Sequence, residues 1–125
     1  MARSAFPKSA VVLVVEDEAL LRLHAIDMIE AAGYITIEAR NADEAVAILK
    51  ERTDIRVVFT DIDMPGSMDG MKLAAMVRDR WPPIEIIMTS GFTRPQPSDM
   101  PLRSLFFAKP YDDGKVIGAI QAFVG

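Results

Sequence analysis

Residues 11–15 read Val-Val-Leu-Val-Val and stop at Glu16-Asp17-Glu18. A short run that is β-branched and apolar at every position, with no polar residue alternating in, reads as a strand buried on both faces. Antiparallel sheets open to water on one side do not ask for that; parallel sheets covered by helices do. The run is followed at once by a change of period. In residues 19–32, ALLRLHAIDMIEAA, the residues Leu21, Ala25, Met28, Ile29 and Ala32 recur at steps of three and four and form one apolar helical face, and Gly33 follows as the residue just past the helix end.

The alternation then repeats. Tyr34–Ala39 is a second short strand. Asn41 with Glu44 three residues on is a capping-box signature for a helix over Ala42–Glu51, with Ala45, Ile48 and Leu49 inward. Residues 55–60 (IRVVFT) form a third strand ending on Asp61. Residues 71–79 are helical by composition with Leu73, Met76 and Val77 inward, capped by Asp69, and must stop before Pro82-Pro83. Trp81 reads as an apolar plug at that helix end. Residues 84–90 (IEIIMTS) and 104–108 (SLFFA) supply two more strands, and 112–124 a last helix with Val116, Ile117, Ile120 and Val124 on one side.

Strand and helix alternating through 125 residues imply an α/β fold: a five-stranded parallel sheet, doubly wound as (βα)5, because each right-handed crossover needs a helix's worth of chain. One unit is irregular. FTRPQPSDMP, residues 92–101, carries three prolines where the fourth helix belongs, so at most a short helical turn is expected around Ser98–Met100. The expected organisation is a flexible segment over 1–10 and one domain over 11–124.

Composition excludes several chemistries. The absence of cysteine removes disulfides, thiolate catalysis and cysteine metal ligation, and suits a cytosolic, cytoplasmic setting. No apolar run approaches the length of a membrane span, and the apolar stretch near the N-terminus is too short for a signal peptide. Fourteen Lys and Arg against eighteen Asp and Glu, net −4, lean away from nucleic-acid binding.

In a doubly wound sheet, ligands bind beyond the carboxyl ends of the strands. The first strand ends at Glu16-Asp17-Glu18, the third at Asp61 with Asp63 beyond, the fourth at Thr89-Ser90, and the fifth at Lys109-Pro110. The suggestive polar residues therefore gather on one edge. Neither GxxxxGK[ST] nor GxGxxG is present to cradle a phosphate. The turn after the first strand is acidic instead, a pattern that suits a divalent cation such as Mg2+, which takes one or two carboxylates plus phosphate oxygens. His24, the only histidine, is expected as a partly exposed helix residue, well away from the strand ends and without a catalytic role. Leu105, Phe106 and Phe107 alternate, so Phe106 is expected to point outward while its neighbours pack inward.

The order VLVVEDE, TDIDMPGSMDG, IIMTSG, FFAKP resembles the receiver (REC) domain of two-component response regulators, the CheY-like branch of flavodoxin-like folds, over residues 11–124. The resemblance implies strand order 2-1-3-4-5. It implies that Asp61 accepts a phosphoryl group from a phosphohistidine on a histidine kinase or a histidine phosphotransfer protein. It assigns Mg2+ (or Mn2+) to Asp17 directly, Glu16 through water, Asp61, and the main-chain carbonyl of Asp63. Thr89 becomes the switch hydroxyl, Lys109 the phosphoryl-facing cation, and Phe106 the switch aromatic. An aspartate of ordinary pKa, about 3.9, needs no deprotonation at neutral pH.

The partners implied are a downstream protein and, as an open alternative, a second copy in a phosphorylation-dependent homodimer, with no nucleic acid and no membrane. Two departures stand out: MPGSMDG is one residue longer than the usual loop, Ser67 being the addition, and Pro95, Pro97 and Pro101 break up the signalling face. A stand-alone regulator and a receiver of a longer regulator both fit. The rivals are a phosphorylation-independent binding module, against which the full acceptor, lysine and hydroxyl set argues, and a magnesium-dependent phosphatase, against which the single obvious nucleophile and the lack of a cap region argue.

Overall fold

The computed structural model describes residues 10–124. Every residue of β1 (Val11–Val15) is buried, as an all-apolar strand between two helical layers requires. The elements that follow are α1 (Ala19–Ala31), β2 (Ile35–Ala39), α2 (Ala42–Glu51), β3 (Ile55–Asp61), α3 (Gly70–Arg80), β4 (Glu85–Ser90), a 3-10 turn (Pro97–Asp99), β5 (Ser104–Ala108) and α4 (Asp113–Val124). The five strands are all parallel, in the order β2-β1-β3-β4-β5. The expected doubly wound fold is therefore present. Of the segment expected to be flexible, residues 1–9 lie outside the described residues; Ala10 accepts a hydrogen bond from Ile35 N at 3.1 Å.

Local chemistry accounts for the element ends. Gly33 adopts φ +100°, and its N–H donates to Glu30 O while that of Tyr34 donates to Ile29 O. That double bond closes α1, and the left-handed conformation it needs favours glycine. Asn41 caps α2 by accepting from Glu44 N at 2.8 Å. The return bond of the expected capping box goes elsewhere, because the Glu44 carboxylate accepts from Arg40 N at 2.8 Å. Asp69 caps α3 by accepting from Lys72 N at 2.9 Å.

The sheet carries two cores. One face, with Leu13, Val58, Ile86 and Met88, packs against Leu49 of α2 and Leu73 and Val77 of α3, with Trp81 beside them. The other, with Val12, Val14, Val57, Phe59 and Ile87, packs against Ala25 and Ile29 of α1 and Val116 and Ile120 of α4. Leu21 departs from its expected inward position and is 39% exposed, as Leu20 and Leu23 are also exposed. Helix α1 is apolar around most of its N-terminal half, so periodicity alone could not select the buried face. Phe106 does not point outward. It is half-buried against the first core while Phe107 packs against the second and Leu105 is 39% exposed. An edge strand with partial cover on both sides does not obey a simple in-out alternation.

The proline-rich segment forms only the three-residue 3-10 turn. A side chain ties the residues just after it to the α3–β4 connection. Arg78 of α3 donates to the carbonyls of Leu102 (2.7 Å), Pro82 (2.6 Å), Ile84 (2.9 Å) and Arg103 (3.2 Å). One guanidinium thus satisfies carbonyls on both flanks, at 82–84 before β4 and at 102–103 before β5.

Candidate functional site

The period-two alternation of the strands builds the site. Val12, Val14 and then Glu16 follow one face of β1; Val57, Phe59 and Asp61 follow the same face of β3; Ile87 and Thr89 follow it on β4; Phe107 and Lys109 follow it on β5. The apolar members form the core under α1 and α4. The polar members are the next residues out, at the carboxyl edge. In register, Asp61 pairs with Thr89 and Thr89 with Phe107. Ser90 has the opposite parity and faces the other way, which separates the two adjacent hydroxyls that the sequence leaves side by side.

Glu16, Asp61 and Thr89 are all buried, at 7%, 5% and 2% exposure. Lys109 Nζ donates to Glu16 Oε1 at 2.9 Å and stands 3.2 Å from Asp61 Oδ1. The second oxygen of Glu16 accepts from Glu18 N at 3.1 Å. Asp61 Oδ1 is fully buried and accepts no hydrogen bond of good geometry, so Lys109 serves it by charge. Asp17 is exposed, and one ligand oxygen from each of Glu16, Asp17 and Asp61 lies within 4.8 Å of the others. Three carboxylates so close, one with an unsatisfied buried oxygen, fit a divalent cation of the Mg2+ type, which prefers such hard oxygen ligands.

Burial pushes Asp61 above the ordinary carboxylate range, and the charge of Lys109 only partly opposes it. Burial raises Glu16 as well, against the bonds from Lys109 and Glu18 N–H. For Lys109, burial pulls the pKa down, but the two carboxylates outweigh it and hold the ammonium above its usual value. Asp61 is therefore not the ordinary carboxylate expected from its residue type.

A cavity of about 570 Å3 opens beside these groups, between α1 and the β5–α4 connection. Its apolar wall includes Leu21, Phe59 and Tyr111, and Asp61, Thr89 and Lys109 close its polar end. His24, expected far from the strand ends, lines this cavity and bonds Asp113 at 3.0 Å across the α1–α4 gap. Tyr111 packs edge-on against Phe59 with ring centroids 5.8 Å apart, and burial, with Asp113 and Glu16 nearby, pushes its hydroxyl up to about 12.

Asp63 lies outside the carboxylate group. Its side chain accepts from Ser90 Oγ, from Thr93 Oγ1 at 2.5 Å and from Phe92 N at 3.3 Å. Its carboxylate is thus engaged by the loop after β4 rather than joined to the Glu16–Asp17–Asp61 group. The extra residue Ser67 faces α2, donating its hydroxyl to Asp43 at 3.0–3.1 Å, next to Gly66 at φ +110°.

Gly70 sits where two backbones approach closely. A Cβ there would fall 2.1 Å from Asp61 O and 2.7 Å from Ile62 Cα. The first turn of α3 rests directly on the backbone of Asp61 and Ile62 at the end of β3, which only glycine permits. The glycine immediately after a helix-capping aspartate was the available signal, since a helix start has no other need of it.

Known proteins share this arrangement of chain. Residues 12–121 match the family described as the response regulator receiver domain. The sensor kinase CckA of Brucella abortus is 35% identical over 109 residues, covering 82% of this chain but only 11% of that kinase. An uncharacterized 14.6 kDa protein of Leptolyngbya boryana is 32% identical and is covered over 88% of its length, against 90% of this chain. The crystal structure of a response regulator receiver protein from Sinorhizobium medicae superposes with TM-score 0.87 at 26% identity, over 93% of this chain and 94% of that one. No helix among the described residues is long and apolar enough to cross a membrane. With sheet order, acidic edge and family match in agreement, the chain belongs to the receiver domains of response regulators.

Proposed function

We propose that Asp61 takes a phosphoryl group from a phosphohistidine of a histidine kinase or histidine phosphotransfer protein. The observation that carries this reading is the meeting of the Glu16, Asp17 and Asp61 oxygens within 4.8 Å, with Lys109 Nζ 3.2 Å from Asp61. An Asp61 carboxylate oxygen attacks phosphorus. The O–P bond forms as the P–N bond breaks, and the electron pair of that bond returns to the imidazole ring. Catalysis of this kind is mostly positioning and charge stabilisation.

Asp17 and Asp61, with Glu16 behind them and the Asp63 carbonyl alongside, would hold Mg2+ or Mn2+. That ion supplies neutralisation of charge on the phosphoryl oxygens. Lys109 is a compact, flexible cation already at the acceptor and can serve a phosphoryl oxygen without crossing the site. Thr89, adjacent in register, offers its hydroxyl to another. Its movement would carry along β4 and β5, including Phe106, which pairs with Met88. Phosphorylation so biases a surface around β4, β5 and the proline-rich segment toward binding a downstream protein.

The test is incubation with Mg2+ and acetyl phosphate, followed by intact mass. One phosphoryl adduct is expected in the wild type and none in Asp61→Ala. A folded, Mg2+-bound protein that forms no adduct refutes the reading in favour of an inert binding module. Rapid turnover of unrelated phosphomonoesters refutes it in favour of a phosphatase.

A further inference from the structure

Asp63 is held more firmly than any other carboxylate near the site, and the groups that hold it belong to the loop after β4. The bonds close a ring. The Asp63 carboxylate accepts from the hydroxyls of Ser90 and Thr93 and from Phe92 N, while Ser90 Oγ itself accepts from Phe92 N at 3.0 Å and Thr93 N at 2.7 Å. Ser90 is fully buried, and its main-chain carbonyl accepts from Lys109 N at 2.9 Å. The turn bearing Asp63 is also tied through its backbone, since Ile62 N donates to Thr89 O at 2.8 Å and Met64 N to Ile62 O at 3.0 Å. With no regular helix after β4, nothing else of comparable strength among the described residues anchors residues 91–93 to this edge. The charge-assisted bonds outweigh the opposing effect of burial and hold Asp63 below the usual carboxylate range.

We propose that Ser90 and Thr93 are positioning residues for the divalent cation: by gripping the Asp63 side chain they orient the 62–64 turn, and with it the Asp63 main-chain carbonyl, toward the Glu16–Asp17–Asp61 oxygens. The inference rests on the magnesium reading above. A carbonyl ligand has no side chain of its own to aim it, so its direction is set by whatever fixes the residue. Here that is a carboxylate whose lone pairs are taken up by a neighbouring loop. Outer partners of this kind change metal affinity about 10- to 100-fold when lost. They do so without touching the ion.

The double variant Ser90→Ala/Thr93→Val removes both hydroxyls and leaves every proposed ligand in place. Mg2+ affinity measured by calorimetry is expected to weaken about tenfold. The rate of Asp61 phosphorylation from acetyl phosphate is expected to be unchanged once Mg2+ saturates, so the loss falls on the Mg2+ concentration required. Thr93→Val alone should show a smaller loss and serves if the double variant does not fold; Thr93→Ser should retain wild-type affinity. In metal-free protein, amide exchange at Phe92 and Thr93 should accelerate in the double variant, an effect independent of any bound ion. In an Asp63→Ala background, which keeps the carbonyl, removing the two hydroxyls should have no further effect on Mg2+ affinity.

Equal Mg2+ affinity in wild type and double variant, with the exchange data showing a freed loop, overturns the proposal. So does an undiminished affinity loss in the Asp63→Ala background, which would mean the hydroxyls act through packing. A wild type that binds no Mg2+ overturns the parent reading and this one with it. A wild type that binds Mg2+ and a variant that binds it equally well overturn this one alone.

Discussion

Gly70→Ala places a methyl group against the backbone of β3 at Asp61. The new carbon would lie 2.1 Å from Asp61 O, 2.7 Å from Ile62 Cα and 2.8 Å from Asp61 C, where ordinary contact begins at 3.4 Å. All three atoms are main chain, so no side chain can swing away. Either α3 or the end of β3 must move by about an ångström. Overpacking of this kind costs about 1–3 kcal/mol, and the gain in helix propensity of alanine over glycine, at most about 1 kcal/mol, offsets only part of it.

The larger effect is on chemistry. A misplacement of about 1 Å at a reacting group can cost about 100-fold in rate. The measurement pairs urea denaturation, followed by Trp81 fluorescence, with the rate of acetyl phosphate-driven adduct formation at saturating Mg2+. We expect lower stability and a rate reduced by about 10- to 100-fold. Gly118→Ala is the matched control: its Cβ would meet nothing within 4 Å, it lies inside α4, and it should stabilise by about 0.5–1 kcal/mol with the rate unaltered. If Gly70→Ala matched that control in sign and in rate, the close packing of α3 on Asp61 would not control that residue's position.

Other perturbations probe the charges. Lys109→Ala leaves Glu16 and Asp61 buried without their cation and should lower stability at pH 7 by about 3 kcal/mol, with much of the loss recovered as the pH falls and the two carboxylates protonate; a pH series of denaturation midpoints measures it. Asp61→Asn should raise the melting temperature at pH 7. Asp61 is pushed above its ordinary 3.8 in the fold, so its ionisation costs stability as pH rises through that raised value, and the advantage of asparagine should shrink as pH falls toward 3.8. Lys109 is held above its ordinary 10.5, so its stabilising contribution is complete below that value and should be lost above it, seen as a steeper alkaline unfolding curve in the wild type than in Lys109→Ala. Mg2+ should raise the melting temperature of the wild type, since ligand binding to the folded state alone raises stability with concentration, and Asp17→Asn should abolish that rise.

Much of the molecule was legible in one dimension because its determinants are local and periodic. A run of five buried apolar residues, the change to a three-and-four step, the caps at Asn41 and Asp69 and the glycine at 33 each act within a few residues of chain, and they specify strands, helices and their ends. Three prolines in 92–101 ruled out a regular fourth helix for the same reason, since missing donors and fixed dihedrals are properties of the residue. The edge position of Glu16, Asp17, Asp61, Thr89 and Lys109 followed from parallel order alone.

Other features depend on which surfaces meet. Leu21 and Phe106 sit where partial cover, and not periodicity, decides exposure. His24 reaches the cavity only because α1 packs beside α4. Lys109 divides itself between Glu16 and Asp61 across 93 and 48 residues of chain, and that burial, a property of the folded interior, is what lifts Asp61 from its ordinary pKa. The need for glycine at position 70 and the grip of Ser90 and Thr93 on Asp63 likewise arise from backbones and side chains brought into contact from distant segments. The sequence by itself determined the parallel sheet and the edge where the acids gather, its strand order following from the family resemblance; only the tertiary structure decided how those acids share their cation and which neighbours hold them in place, because burial and close contact are set by packing and have no one-residue signature.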